Sequence, residues 1–402
     1  MSQQFDPSSA LTIGMLSTYP PTKCGLATFS SALERGLIEL GHHVRIVRVE
    51  ETPSSPTDGR SVAGVLANGS PASIRRTAAV LSKCDVAIIQ HEYGIYGGPD
   101  GQDVMGVIRD TDVPTIAVLH TVPQSASVHQ AELLVELCDA ADRVVVMSES
   151  ARERLVTTYF PIDDSKVVTI PHGAALAAHV LDGSRPRANP RAQLLTWGLI
   201  GPGKGIEHVI DALSLLHGLG QSVTYTIAGA THPKVLAREG NHYRNSLRAR
   251  AQDLGVGHLV TFDDAYRDVR ELTEFIASAG TVVLPYDTVE QVTSGVLVDS
   301  IAAGRAVIAT QFPHAEEMLS AGAGLLVPHR DPKSLAVAIR TVTTEQALLE
   351  GMRAEARSLA PMLSWGSVAS EYAVEAGALL RSGDPIPTRR HSREFQVGAA
   401  PE

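Results

Sequence analysis

Cysteine is scarce in this chain: only Cys24, Cys84 and Cys138 occur, odd in number and widely spaced. They form no zinc-ligand pattern and suit a reducing compartment. Long apolar runs are also missing, since none approaches the roughly 18 residues of a membrane span. The opening MSQQFDPSSA lacks the basic stretch and apolar core of a secretory signal. Positive charge is in deficit, with a net charge of −10. That excludes the basic footprint of nonspecific nucleic-acid binding and lends no support to tight binding at an anionic membrane. The expected location is cytoplasmic. Two catalytic signatures are absent as well. No GxGxxG dinucleotide fingerprint is found, and the HE of QHEYG is not HExxH, so no zincin is implied.

What remains is an ordinary composition, 44% hydrophobic and 19% charged, over 402 residues, which is enough for two domains with separate cores. Short apolar runs alternate with helical patterns throughout. In the first half the expected strands are 12–17, 43–49, 85–90, 115–120, 143–148 and 166–171, with helices at 25–40, 73–82, 131–141 and 150–159. Runs such as VAIIQ and TIAVLH are apolar on both faces, as buried parallel strands must be. DGSRPRANPR then breaks the pattern and reads as a linker. Alternation restarts with strands at 194–200, 224–228, 259–262, 281–285, 306–309 and 324–327. The expected fold is α/β: two doubly wound domains facing one cleft, 1–181 and 193–363, joined by a linker at 182–192. A helix at 364–381 follows the second sheet, and the polar, proline-bearing stretch 382–402 reads as a disordered tail.

The most informative segment is YDTVEQVTSGVLVDSIAAGRAVIAT, from Tyr286 on. A strand, a polar loop and a helix start in succession, which brings free backbone N–H groups and the helix dipole to a phosphate. Ser294 and Gly295 open that helix, and Asp299 one turn in is placed to take ribose hydroxyls. The physical reading is a nucleotide diphosphate site.

Other loops fit the same picture. GLIGPGKGIEHV surrounds Lys204 with Gly201, Gly203 and Gly205 just before a helix, so its ammonium could neutralise a leaving diphosphate. In STYPPTKCGLATF, Gly25 starts a helix and either admits a ligand to the backbone or serves only the turn. His120 closes TIAVLH and would face the crevice of an open sheet, or else bond a neighbouring loop. His91 occupies the equivalent place one strand earlier, and Tyr93–Gly98 forms either an acceptor-side loop or a structural turn. His172 in IPHG and Gly229 in GATHP are further strand-end candidates. Arg244, in HYRNSLRARA, reads as a residue of a solvated helix face.

Taken in this order and spacing, these motifs resemble the retaining GT-B glycosyltransferases of glycosyltransferase family 4, the group 1 glycosyl transferases. The resemblance runs from residue 12 to residue 380 and rests on the Gly25 loop, HEYG, VLHT, IPHG, GPGKG, the 290–304 segment and the helix containing Trp365 and Tyr372. It implies the GT-B fold, with the last helix crossing back onto the N-terminal domain. It also implies a nucleotide-sugar donor on the C-terminal domain and a carbohydrate, lipid-linked or small-molecule hydroxyl acceptor on the N-terminal one.

The family's E-x7-E element falls on Gln291 and Asp299, with Glu290 beside Gln291, so either Glu290 or Gln291 would meet the transferred sugar. Asp299 would hold the ribose. Gly295, Val296 and Leu297 would offer amides to the diphosphate, His120 would line the sugar side, and His91 and Tyr93 would stand on the acceptor side. Gly25, Gly203, Gly229 and Ser294 complete the expected donor contacts, and Lys204 is the expected catalytic cation. No cofactor or metal is expected. Leu199 replaces the family's usual arginine, leaving Lys23 or Arg244 to supply a second cation. The expected activity is hexosyl transfer with retention. The alternatives are a noncatalytic nucleotide-sugar binder and a sugar-nucleotide epimerase.

Overall fold

The computed structural model describes residues 10–22, 24–50, 61–182, 192–217, 223–265 and 267–381. Lys23, most of the expected linker and the expected tail lie outside the described residues.

The first sheet contains β1 (Thr12–Ser17), β2 (His43–Glu50), β3 (Val62–Ala67), β4 (Val86–His91), β5 (Thr115–Leu119), β6 (Arg143–Val146) and β7 (Val167–Thr169). Its order is β3-β2-β1-β4-β5-β6-β7 and its pairings are parallel. The second contains β8 (Gln193–Trp197), β9 (Thr224–Ala228), β10 (Val260–Asp263), β11 (Thr281–Leu284), β12 (Val307–Thr310) and β13 (Gly324–Val327). Its order is β10-β9-β8-β11-β12-β13, again parallel. Every residue of β4 and β5 is buried, which is why these segments read as unbroken apolar runs. The expected two-domain α/β architecture is therefore present.

Strand order decides where ligands can reach. In each sheet the chain reverses direction of growth beside its first strand, between β1 and β4 and between β8 and β11. Connections on the two sides of such a switch point diverge and leave a crevice at the strand C-termini. The loops leaving these four strands carry the Gly25 motif, HEYG, GPGKG and the 285–294 segment.

Several elements were not legible beforehand. β3 is one, an edge strand interrupted by Gly64. The short helix Asp103–Asp110 is another. Other boundaries move by a few residues: β4 runs on to His91, β7 is shorter than expected, and β8 stops at Trp197 because Gly198 takes a φ of 119°.

The helix Trp365–Arg381 crosses back as expected. Its Val368, Ala369, Tyr372 and Ala376 are buried in one apolar cluster with Ile13, Phe29, Leu33 and Ile88 of the first domain. The two passages of chain between the domains lie side by side, where the Ala174 N–H donates to Leu363 O at 2.7 Å. Among the described residues no helix is long and apolar enough to cross a membrane.

Gly36, on the helix Gly25–Glu39, sets how closely the crossover helix approaches. A Cβ there would stand 2.7 Å from Ala369 Cβ and 2.8 Å from the Trp365 carbonyl oxygen. On an isolated helix Gly→Ala gains roughly 1 kcal/mol. Here a backbone carbonyl must move, so we expect Gly36→Ala to destabilise by about 1–3 kcal/mol. The check is urea denaturation, and a stabilised variant would show that the two helices are not in this contact.

Candidate active site

Phe29 is the hub of the first domain's side of the cleft. It sits one turn into the Gly25–Glu39 helix, 2% exposed, and meets three rings edge-on: His120 at 4.9 Å, His172 at 5.1 Å and Trp365 at 4.9 Å between centroids. His120 follows β5 and His172 follows β7, so two strand ends and the crossover helix converge on one ring. Gly173 permits this, because a Cβ there would lie 2.4 Å from the Trp365 ring.

Burial holds these imidazoles neutral. The His172 pKa is pushed down to about 4, and that of His120 falls well below its ordinary value, helped by its neighbours His172 and His91. His172 Nδ1–H donates to its neighbour's carbonyl, Gly173 O, at 2.7 Å, which leaves Nε2 as an acceptor. That Nε2 stands 3.0 Å from where a Cβ on Gly295 would be. An N-terminal-domain imidazole therefore abuts the open end of a C-terminal-domain helix. His120 Nε2 pairs with Gln90 Oε1 at 2.6 Å.

That helix is Gly295–Ala302, and its start is braced twice. Ser294 is the N-cap, its Oγ accepting from Leu297 N–H at 3.3 Å. The Ser294 N–H donates to His314 Nδ1 at 2.8 Å. His314 is 2% exposed, and burial beside His172 lowers its pKa to about 3, as an acceptor imidazole requires. Of the three amides expected to meet a diphosphate, Leu297's is taken by the cap, while Gly295 and Val296 present theirs at the helix end. Asp299 lies one turn in, and burial raises its pKa to about 7.

The GPGKG loop meets the segment that leads into this helix, and just before it a Cβ on Gly198 would lie 3.6 Å from Val296 Cγ2. Gly205, at φ 63°, has no room for a Cβ, which would fall 1.8 Å from Pro285 O. Asp287 N–H donates to Gly203 O at 3.0 Å, so this loop and the 285–294 loop are tied together. Gly203, at φ 84°, has open space where a side chain would be. Lys204 Nζ lies 4.3 Å above the Tyr286 ring, and Tyr286 stacks on Phe312. Desolvation lowers the Lys204 pKa. A half-buried ammonium on a loop tied to the segment that opens a helix is an arrangement that suits an anion.

The remaining expected residues divide. Gly25 also faces open space at its Cβ position. Gly229, at φ 126°, is a glycine for a local reason, since a Cβ would lie 1.9 Å from Gly198 O. Glu290 is exposed, and Gln291 Nε2 turns back to donate to Thr293 O at 3.0 Å. His91 is fully buried against Tyr93, whose hydroxyl donates to Gln130 O at 3.2 Å.

Arg244 corrects the sequence reading. It is 3% exposed rather than solvated, with Nη1 donating to Gly229 O at 2.6 Å and Nη2 3.4 Å from Asp264. Leu199, where a cation was missed, is 42% exposed. Behind the Lys204 loop, Glu207, His208 and Asp287 bring one ligand atom each within 4.8 Å of one another. His208 Nε2 is already 3.1 Å from Asp287, and the Tyr243 hydroxyl donates to Glu207 at 2.6 Å. His314 was the residue the sequence did not announce. Its signal was only a histidine at the start of the next helix, and its partner Ser294 is twenty positions away.

The Asp299 shift carries a stability consequence. The folded pKa is raised, so the unfolded chain releases this proton first, between about pH 4 and pH 7. The stability tied to the protonated carboxyl is complete below that window and lost as pH rises through 7. Asp299→Asn should therefore match the natural chain at pH 4 and exceed it at pH 8 by up to about 4 kcal/mol. Denaturant melts at the two pH values measure this, and equal stability at pH 8 would contradict the raised pKa.

Residues 182–359 match the family Glycosyl transferases group 1, and residues 24–177 match Glycosyltransferase Family 4. A D-inositol 3-phosphate glycosyltransferase of Kineococcus radiotolerans is 25% identical over 309 residues, covering 68% of this chain and 69% of that protein. Among solved structures, Anabaena HepE in complex with UDP and glucose is similar with a TM-score of 0.69 at 15% identity, covering 92% of this chain and all of that one. A sucrose-phosphate synthase from Thermosynechococcus elongatus aligns with a TM-score of 0.71 at 17% identity, covering 93% of this chain and all of the other.

Proposed function

The chain belongs to the GT-B glycosyltransferases, and from that premise we propose that it transfers a hexose from a nucleotide-diphosphate sugar to a hydroxyl acceptor with retention of anomeric configuration. The observation that carries this reading is the Asp287 N–H to Gly203 O bond, which ties the Lys204 loop to the segment that leads into the Gly295 helix, whose first residue lies against His172. The HepE structure contains UDP and glucose, which supports a nucleotide donor and a hexose here.

In the proposed reaction the bond between the sugar C1 and the diphosphate oxygen breaks. Negative charge grows on that oxygen, where Lys204 and the amides of Gly295 and Val296 stabilise it. The acceptor oxygen bonds to C1 on the face the diphosphate leaves, and its proton passes to a phosphate oxygen of the departing group. The reading gives Asp299 the ribose hydroxyls and His120 the sugar. Closure of the two domains excludes water, which would otherwise intercept the oxocarbenium-like sugar.

A second reading, a noncatalytic nucleotide-sugar binder, is favoured by Leu199 in place of a cation and by Gln291 turned onto Thr293. Binding of a donor with neither transfer nor hydrolysis over a range of acceptors would select it.

Lys204→Ala should lower transfer roughly 100-fold or more and weaken donor binding, with little change in melting temperature because Lys204 is only half-buried. Initial rates and calorimetry decide this, and unchanged turnover would remove Lys204 from the mechanism. A thermal-shift screen of UDP-, GDP- and ADP-sugars should raise the melting temperature with one base preferentially.

A further inference from the structure

The 285–294 loop follows β11 of the C-terminal sheet, yet the other domain holds it. Val292, 4% exposed, belongs to the same apolar cluster as Leu119, Val122 and Tyr159 of the N-terminal domain. Ser148, itself buried, donates its Oγ–H to Val292 O at 2.6 Å. Arg154 Nη1 donates to Glu290 O at 2.6 Å and to Val122 O at 3.0 Å, joining the loop to the strand-end segment that follows His120.

The C-terminal domain reaches the same place from the opposite side. Its helix Pro313–Leu319 supplies His314, whose Nδ1 takes the Ser294 N–H and whose backbone N–H donates to Gln291 O at 3.3 Å. The same helix supplies Glu317. Its Oε1 accepts from Glu149 N–H at 3.0 Å, and its Oε2 accepts from Ser150 N–H at 3.0 Å and Ser150 Oγ–H at 2.8 Å. A carboxylate of one domain thus caps the first turn of the helix Glu149–Thr158 of the other, a favourable end of the helix dipole for negative charge.

We propose that the helix Glu149–Thr158 is the element that shapes the sugar-side loop, with Ser148 and Arg154 as positioning residues. Bringing the two domains together and ordering residues 290–294 are then one event. Four backbone groups of that stretch are fixed from outside it: the carbonyls of Glu290 and Val292 by the N-terminal domain, and the Gln291 carbonyl and Ser294 amide by His314. Without the N-terminal contacts, Glu290 and Val292 lose their carbonyl donors, and the register of the loop against Gly295 loosens. Donor affinity would then depend on side chains of the acceptor-side domain. This last step rests on the donor reading given above, whereas the bracing does not.

The test uses the full chain with Arg154→Ala, Arg154→Lys and Ser148→Ala, and UDP, GDP and ADP as probes. By amide hydrogen exchange, Arg154→Ala should speed exchange across 290–294 and leave 195–197 and 226–228 unchanged. Its affinity for whichever nucleotide the natural chain binds should fall about tenfold, the scale of one charge-assisted hydrogen bond, with Arg154→Lys recovering most of the loss. Ser148→Ala should give the same local pattern, weaker. Unchanged exchange at 290–294 in both alanine variants overturns the bracing. Faster exchange with unchanged nucleotide affinity overturns the coupling to the donor. If the natural chain binds none of the three nucleotides, the donor reading fails and the coupling with it, while the exchange data alone still decide the bracing.

Discussion

Two passages of chain run between the domains, and the rest of the arrangement depends on how they are pinned together. The Ala174 N–H to Leu363 O bond fixes the outgoing segment beside the returning one. Two residues before Ala174 is His172, and two residues after Leu363 is Trp365, so the same pin brings both rings onto Phe29. From there the crossover helix lies on the Gly36 face of the first helix, at a distance only glycine permits. The loop that follows β11 of the second sheet then meets the first domain at Ser148 and Arg154.

The facing surfaces share an electrostatic logic. Burial keeps the histidines of the cleft neutral and leaves His172 and His314 as acceptors, one beside Gly295 and the other holding the Ser294 amide. The same desolvation makes Lys204 less basic and Asp299 less acidic. Free helix amides and a half-buried ammonium are each stabilised by an anion.

How much of this was legible follows from the range of the interactions. β4 and β5 were readable because buried parallel strands leave unbroken apolar runs, whereas β3, an edge strand broken by Gly64, left none. The glycine-rich loops were readable because positive φ at Gly203 and Gly205 is a local demand that sequence expresses directly. Arg244 was misread because its surroundings are not local. Its helix is polar in pattern, and only the Gly229 loop folding against it turns a surface position into a buried one. Nothing near Arg154 or Glu317 in the chain marks them, since their partners lie 136 and up to 168 positions away.

The sequence by itself determined the two doubly wound domains, the loops at their strand ends and the anion-seeking character of the Gly295 and Lys204 segments. Those properties follow from periodicity, glycine conformation and helix polarity, which act over a few residues. Only the tertiary structure decided which side chains meet across the cleft: His172 against Gly295, Glu317 on the Glu149 helix, Arg154 on the loop of Glu290. Such contacts depend on the relative placement of two rigid sheets, which burial and packing set over the whole molecule and no local pattern encodes.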